Sequence, residues 1–538
     1  MGSGSDGDDA RYSRWIAEHA PSGAALAAVR MKSRCGDRPT FSIVLGPSVP
    51  DAALLSRMLE AIAAQAWDRW NLILMPSCAA PGFREAVDAV IRDDGRIRVA
   101  TELGEAEGNT ANEFVLFLSP GDELAPEALH RIAAAVEAAP DADVLYSDED
   151  ELDAAGRRVA PFFKPDWSPH LLMSMNYLGQ LVVYRRRLLR DVVPGGLSLA
   201  TDPYDVALRA TERATRVLHV PEVLCHRRRG SPRGDEAERG RRAIEHALSR
   251  RGLRGRVEPS PVPAVFGVRY EIRGTPLVSI VIPSRDRASL LRACVESIDA
   301  RSTWQNREII VVDNGSTSRG AVRLLGDLGR RHHVVRDPSP FNWSALNNAA
   351  GAQAKGEYLL FMNDDMEVLS SDWIEALLEH AQQDCVGAVG GKLLYADGTV
   401  QHAGLALGIG VAGHVFRRLP GDAPGYHGLA MCVRDVSAIT GACLMVRRSV
   451  FEAAGRFDER LPVAYNDVDF CLRLRAKGLA VVWTPHARLL HRESATRGTL
   501  HPAAAEAMMW ERWCTTLARD PFYNPHLTRS REDYSLAG

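Results

Sequence analysis

The chain carries the same pattern twice. Residues 41–46, FSIVLG, and residues 278–283, VSIVIP, are continuous apolar runs rich in β-branched side chains. Such runs suit strands of a parallel sheet covered on both faces. A helix-like segment follows each, LLSRMLEAIAAQAW and LLRACVESIDARSTW, and then a second run, NLILM (71–75) and EIIVV (308–312). Ser42 and Pro76 are 34 residues apart, and so are Ser279 and Asp313. A third strand is matched as well, in FVLFLSPGDEL (114–124) and YLLFMNDDMEV (358–368). Further on, YDVALR (204–209) answers VDFCLR (468–473), with 16 residues from Asp205 to Pro221 and 16 from Asp469 to Pro485. Equal spacings at separate places mark an internal duplication. The expected fold class is therefore α/β, with two tandem domains, each a mostly parallel sheet flanked by helices.

A chain of 538 residues is too long for one hydrophobic core. The pattern predicts an N-terminal extension over 1–39, one domain over 40–273, a second over 274–500, and a C-terminal helix and tail over 501–538. RRRGSPRGDEAERGRR (227–242) reads as an exposed loop and RGTP (273–276) as the boundary. The aromatic residues of the tail, PFYNPHLTRSREDYSLAG, point to a segment packed on a domain. A net charge of −3 gives no basis for a nucleic-acid partner. The nine cysteines form no C-x-x-C pair, which argues against a metal cluster or disulfide framework and for a reducing cytosol. The start is polar and acidic rather than a secretion signal. No apolar run approaches the roughly 18 residues of a membrane span. The expected location is the cytoplasm, with membrane contact limited to the inner face of the cytoplasmic membrane.

In an α/β sheet, ligands bind beyond the carboxyl ends of the strands. The second copy places Ser284, Arg285 and Asp286 after its first run. Asp313, Asn314, Gly315 and Ser316 follow the second, and Asn363, Asp364 and Asp365 the third. One such Asp is commonly a cap or a turn residue. Carboxylates at three neighbouring strand ends describe a site. The Asn-Asp-Asp turn suits Mg²⁺ or Mn²⁺, which favour carboxylate oxygens and complete their shells with water and phosphate oxygens. No G-x-x-x-x-G-K-[ST] loop is present to hold phosphates by backbone alone, so a metal has to carry that load.

These stretches, with FNWSALNNAA, DGTVQHAGLALG, SAITGACLMVRRSVFEAAGRFDERL, YNDVDFCLRLRAKG and LLHRESATRG, resemble the inverting family 2 glycosyltransferases of the GT-A fold. Their wording is similar to bacterial enzymes of surface-polysaccharide assembly, O-antigen rhamnosyltransferases among them. The first copy resembles the same family through YSDEDELD, FFKPDWSPHLLMSMNYLG and YDVALRATE. The resemblance implies an enzyme that moves a sugar from a UDP- or dTDP-sugar, such as dTDP-rhamnose, to a hydroxyl of a glycan or lipid-linked glycan acceptor. It implies that Asp286 and Asp313 meet the base and ribose. Pro283, Ser284, Asn314, Ser316, Asn347, Asn363 and Asp364 would line the rest of the donor site. Asp365 and His491 would hold Mn²⁺ or Mg²⁺, and Asp467 would be the catalytic base. The family's metal motif is Asp-x-Asp, and Asn363 puts a neutral ligand in its first position. His402, His414 and Asp469 are candidates for donor or acceptor contact. Asp469 would share a face with Asp467 in a strand but not in a helix, where a capping or structural role is the alternative.

Set against these positions, the first copy has lost its acids. Asp313 faces Pro76, Asp286 faces Val49, and Asp467 faces Pro203. Asn363, Asp364 and Asp365 face Ser119, Pro120 and Gly121. The apolar strands are kept, so the expectation is a retained fold without chemistry, serving as a platform or an acceptor-binding module. Asp122, Glu123, Asp148, Glu149 and Asp150 read as surface or turn residues. Two other functions compete: a non-catalytic glycan-binding or scaffold protein, and a nucleotidyltransferase, which would want a glycine-rich phosphate loop.

Overall fold

The computed structural model describes residues 5–33, 38–45, 52–74, 95–99, 112–119, 121–193, 202–228, 236–492 and 503–537. Contacts divide the chain into two units, one of residues 1–167 and 176–251, the other of residues 168–175 and 252–537.

The strands of the first unit are β1 (Phe41–Leu45), β2 (Trp70–Leu74), β3 (Ile97–Val99), β4 (Phe114–Leu118), β5 (Glu123–Leu124), β6 (Val144–Leu152), β7 (Arg158–Phe162), β8 (Val182–Arg185) and β9 (Val217–Arg228). They form one sheet in the order β3-β2-β1-β4-β8-β6-β9-β5, with β7 beside β6. Neighbours β3, β2, β1 and β4 are parallel, β8 runs against both β4 and β6, and β9 is parallel to β6. Thus β1, β2, β3, β4, β6 and β9 all point one way.

The second unit contains β10 (Gly255–Pro259), β11 (Phe266–Tyr270), β12 (Val278–Ser284), β13 (Arg307–Asp313), β14 (His333–Arg336), β15 (Tyr358–Met362), β16 (Met366–Val368) and β17 (Val386–Leu394). β18 (Val400–His402), β19 (Leu405–Leu407), β20 (Ala412–His414), β21 (Arg434–Asp435), β22 (Cys443–Arg447) and β23 (Ala480–His491) follow. Its main sheet has the order β14-β13-β12-β15-β22-β17-β23-β16, which repeats the first sheet strand for strand. The duplication read from spacing is a duplication of topology.

Helical periodicity explains how each copy covers its sheet. Leu55, Leu59 and Ile62 recur at i, i+4 and i+7 and pack with Phe41, Ile43 and Leu45 of β1. Leu291, Val295 and Ile298 recur at the same intervals and pack with Val278, Ile280 and Ile282 of β12. No described helix is long and apolar enough to cross a membrane.

Three features differ from the sequence expectation. The β10–β11 hairpin groups with the second unit, ahead of the expected boundary at 273, because Arg269 reaches Glu379 and Asp372, each at 2.8 Å from its Nη2. Within 227–242, Arg227 and Arg228 close β9 and residues 236–242 open the helix Glu236–Arg250 rather than an exposed loop, while 229–235 lie outside the described residues. Asp148, Glu149 and Asp150 are buried in β6, not placed on a surface turn, because oppositely charged side chains surround them. The C-terminal tail packs as expected: Tyr523 and Tyr534 are buried, and Tyr534 stacks on Phe416 with ring centres 4.5 Å apart.

The second unit takes in residues 168–175 around one buried carboxylate, Asp435 of β21. Its Oδ2 accepts from Ser168 Oγ at 2.6 Å and from the His170 N–H at 3.1 Å, and its Oδ1 faces His170 Nδ1 at 2.8 Å. Burial would raise this carboxyl's pKa, but His170 and these hydrogen bonds hold it below the usual range. Removing one partner of a buried, hydrogen-bonded charge leaves the others unsatisfied. Asp435→Ala is expected to lower the stability of the second unit by about 3 kcal/mol, read as an earlier unfolding transition in urea.

Candidate active site

The carboxyl ends of β12, β13 and β15 bring the candidate residues together. β12 pairs with β13 as far as Ser284 opposite Asp313, so both loops leave the sheet at one level. The Asn314 N–H donates to Ser284 O at 3.0 Å. Asp286 has φ of +55°, a left-handed conformation that Asp tolerates better than most residues. Its Oδ1 accepts from the N–H groups of Thr317 and Ser318 at 2.8 and 2.7 Å, and its own N–H donates to Ser316 Oγ at 3.0 Å. Those backbone bonds hold its carboxyl below the usual pKa range although it stands in solvent. Asp313 is buried and accepts from the Ser316 N–H at 2.8 Å. Asn314 donates to Asp337 O and Ser339 O, and its Oδ1 is buried without a hydrogen-bond partner. Pro283 is a fully covered member of β12.

The turn after β15 holds two adjacent carboxylates that are nearly removed from water, Asp364 at 4% and Asp365 at 6% exposure. Ser284 Oγ donates to Asp364 Oδ2 at 2.7 Å. Arg287 lies across both acids, with Nη1 at 3.0 Å from Asp364 Oδ1 and Nη2 at 3.0 Å from Asp365 Oδ2. Burial pushes the Asp364 carboxyl up to about 6 against the pull of Ser284 and Arg287. The Asp365 carboxyl is held low, because His491 and then Arg287 outweigh its burial.

His491 reaches Asp365 because β16 pairs antiparallel with β23, placing Met366 opposite His491. The ring's Nδ1 is 2.5 Å from Gln401 Oε1, an atom that can only accept, so Nδ1 carries the hydrogen. Nε2 then faces Asp365 Oδ1 at 3.0 Å. A lone pair and a carboxylate oxygen at that distance need a proton or a cation between them. Asp365 Oδ1 is buried and makes no well-aligned hydrogen bond. The imidazole oriented by its other nitrogen, together with the carboxylate, fits the donor set of a divalent ion. No group of three or more His, Cys, Asp or Glu side chains among the described residues is arranged to hold a metal. An ion here would draw its remaining ligands from water and substrate.

Asp467 is tied to the same strand end by the 440–442 turn. Its Oδ2 accepts from the Gly441 N–H at 2.8 Å, while the Asn363 N–H donates to Ala442 O at 3.2 Å. A side chain at Gly441 would run into the Trp343 ring, with a Cβ 2.8 Å from it. Asp467 and Asp469 lie in the helix Asn466–Ala476, so they point apart. Asp469 is fully buried, and its oxygens go to Arg473 Nε at 2.8 Å, Arg512 Nη1 at 2.5 Å and Trp513 Nε1 at 3.0 Å. His402 is 1% exposed and lies with Nδ1 3.0 Å from His414 Nδ1. Burial, then the charges of His414, Arg434 and His491, drive its pKa down and keep it neutral. Asn347 donates to Trp343 O and has a buried Oδ1 without a hydrogen-bond partner.

Of the residues opposite these in the first copy, Val49, Pro76 and Pro120 lie outside the described residues. Gly121 stands at the Asp365 position with φ of +91°. Pro203 opens the helix Pro203–Arg213, and Asp202 caps it by accepting from the N–H groups of Tyr204 and Asp205. β5 pairs with β9 so that Glu123 is opposite His226, which puts Arg227 rather than His226 in register with His491. Arg227 pairs with Glu149 at 3.1 Å, and Lys164 pairs with the same carboxyl at 3.1 Å. Asp148 and Asp150 are paired to His219 and His226 at 2.9 and 2.7 Å.

The pattern of glycosyl transferase family 2 matches residues 279–455, from β12 to just past β22. The chain is 31% identical to the N-acetylglucosaminyl-diphospho-decaprenol L-rhamnosyltransferase of Mycobacterium tuberculosis (strain CDC 1551 / Oshkosh), over 35% of this chain and 68% of that protein. It is 40% identical to the O-antigen biosynthesis protein RfbC of Myxococcus xanthus, over 98% of this chain and 43% of that protein. A solved structure, GalNAc-T7 with UDP, GalNAc and Mn2+, aligns with 45% of this chain and 50% of its own at 15% identity and a TM-score of 0.38. The chain belongs to glycosyltransferase family 2. It spans about half the length of the curated relatives that it matches from end to end, 59% of one and 43% of another.

In the first unit, Asp122 is left without a full set of partners. Asp122 is buried, its Oδ2 has no hydrogen-bond partner, and burial followed by the Glu149 charge pushes it up to about 7 against the pull of Arg227. An acid whose pKa rises on folding takes up a proton as the chain folds. Stability from this group is therefore lost as pH rises from the unfolded value of 3.8 to about 7. Asp122→Asn is expected to stabilise the first unit at pH 8 by a few kcal/mol, with the gain shrinking as pH falls toward 4. Urea unfolding of both proteins across that range checks it.

Proposed function

We propose that the second copy is an inverting glycosyltransferase that moves a sugar from a UDP- or dTDP-sugar to a hydroxyl of a bacterial surface glycan. The observation that carries this reading is the meeting of Asp286, Asp313, Asp364, Asp365, His491 and Asp467 around the ends of β12, β13 and β15. The Asp313 loop and Asp286 suit a pyrimidine nucleoside, whose N3–H and ribose hydroxyls donate to carboxylates. Asn363, Asp364 and Ser284 lie where the diphosphate would follow. Asp365 and His491 would hold Mn²⁺ or Mg²⁺, which when bound offsets the negative charge of the departing diphosphate. Asp467 takes the proton of the acceptor hydroxyl as it attacks the anomeric carbon from the face opposite the nucleotide. The Gly441 N–H keeps one of its oxygens in place for that task.

The burial of His402, with Nε2 3.5 Å from the Thr440 nitrogen, supports a role behind the 440–442 turn, with His414 on its other ring nitrogen. The ion pairs and indole bond of Asp469 support a structural role that anchors the helix bearing Asp467. The names of the two relatives support a sugar acceptor in polysaccharide assembly and a rhamnosyl donor. The first copy is read as non-catalytic, supported by Gly121 and Pro203 at the metal and base positions and by the ion pairs of Arg227. Acceptors carried on a lipid would bring the enzyme to the inner face of the membrane.

Incubation with UDP- and dTDP-sugars, Mn²⁺ and a panel of glycan acceptors should release nucleoside diphosphate with one of them. Release of sugar 1-phosphate would indicate nucleotidyl transfer, and no turnover with any pair would favour a glycan-binding scaffold. Asp467→Asn should slow transfer by about 10²–10⁴-fold with nucleotide affinity retained. Pro203→Ala should leave the rate within about twofold of the parent. An equal loss in both variants would contradict the assignment of chemistry to the second copy.

A further inference from the structure

Arg287 has no place in the chemistry so far, yet it touches both acids of the metal turn. Its guanidinium nitrogens each take one carboxylate oxygen, at 3.0 Å from Asp364 and 3.0 Å from Asp365. With Ser284 on the other Asp364 oxygen, three of the four oxygens accept a hydrogen bond, and His491 stands beside the fourth, Asp365 Oδ1, which makes none that is well aligned. The two carboxylates are nearly covered, whereas the Arg287 side chain keeps 30% exposure, so the guanidinium closes them from the open side. Two adjacent acids in a low-dielectric site repel each other, and a cation there is what permits both to stay ionised. Arg287 supplies that cation.

A divalent ion on Asp365 would be a second, stronger cation at the same carboxylate. It and the guanidinium repel, and each satisfies the charge that the other was holding. Arg287 follows Asp286, whose left-handed backbone and hydrogen bonds to 317 and 318 fix the loop. The backbone of Arg287 is therefore anchored, and an exchange would have to come from its long side chain. The nearest new partner of the right chemistry is the diphosphate that arrives with the metal. A planar guanidinium binds phosphate oxygens in pairs.

We propose that Arg287 is an exchange residue: it neutralises Asp364 and Asp365 until metal and nucleotide enter together, and then transfers to the donor's diphosphate. This rests on the donor reading given above. It makes metal and nucleotide binding interdependent, because the metal alone has to displace Arg287 with no anion to receive it. A coupling of this type is commonly worth 5- to 150-fold in affinity.

The test compares the full chain with Arg287→Ala and Arg287→Lys. Mn²⁺ binding without nucleotide is followed by electron paramagnetic resonance of the free ion. Binding of UDP and dTDP at saturating Mn²⁺ is followed by calorimetry. Arg287→Ala is expected to bind Mn²⁺ alone about tenfold more tightly and the preferred nucleotide about tenfold more weakly. Arg287→Lys, which keeps the charge but cannot span both acids, is expected between the two and guards against a misfolded alanine variant. If Arg287 only supported the fold, both ligands would weaken together. Unchanged or weaker Mn²⁺ binding in Arg287→Ala, with wild type binding Mn²⁺ and nucleotide normally, overturns this inference alone. Failure of wild type to bind either nucleotide with Mn²⁺ overturns the donor reading and this inference with it.

Discussion

Two carboxylates side by side, buried at the end of one strand, are the constraint around which the second unit is arranged. Asp364 and Asp365 have little water to share their charge with. Each surrounding element answers that need. β12 brings Ser284, the loop after it brings Arg287, and β23 brings His491 through its pairing with β16. Gln401 then fixes the imidazole from behind. Remove the two acids and this convergence has no reason to exist. Keep them and the site always wants a positive charge, whether a guanidinium, a proton or a metal.

The first unit shows what the same topology does when the turn loses its acids. The strand order is retained, and Gly121 takes the Asp365 position. Charge has not left the sheet end; it has moved to β6, where Asp148, Glu149 and Asp150 are paired with His219, His226, Lys164, Arg158 and Arg227. Glu149 and Asp150 each have a Lys or Arg partner in place, and Asp148 has His219, whose pKa is raised by that carboxylate against its burial. Such networks hold a fold in one arrangement at little net gain over an apolar core. That is consistent with a module retained for shape.

Much of this was legible in the residues. Strands showed in the β-branched runs, and helices in the recurrence of Leu291, Val295 and Ile298. The matching spacings foretold that the two sheets would share one strand order. The Asn-Asp-Asp turn stood out because its acids follow a buried strand directly. What stayed hidden depends on tertiary register. Arg287 reads as one more loop arginine until β12 and β15 lie side by side. His226 looks like the counterpart of His491 in LCHR and LLHR, but the pairing of β5 with β9, set against that of β16 with β23, puts Arg227 in that place. Residues 148–150 spell a turn, and their partners, Arg158 of β7, β9, Lys164, Tyr12 and the Gln180 N–H, explain their burial.

The central claim is that one of two like domains keeps a donor site. The stoichiometry of nucleotide binding tests it most directly. Calorimetric titration of the full chain with UDP or dTDP in saturating Mn²⁺ should give one site per chain, and Asp365→Asn with His491→Ala should abolish it. Two sites per chain, or one that survives those substitutions, would contradict the account.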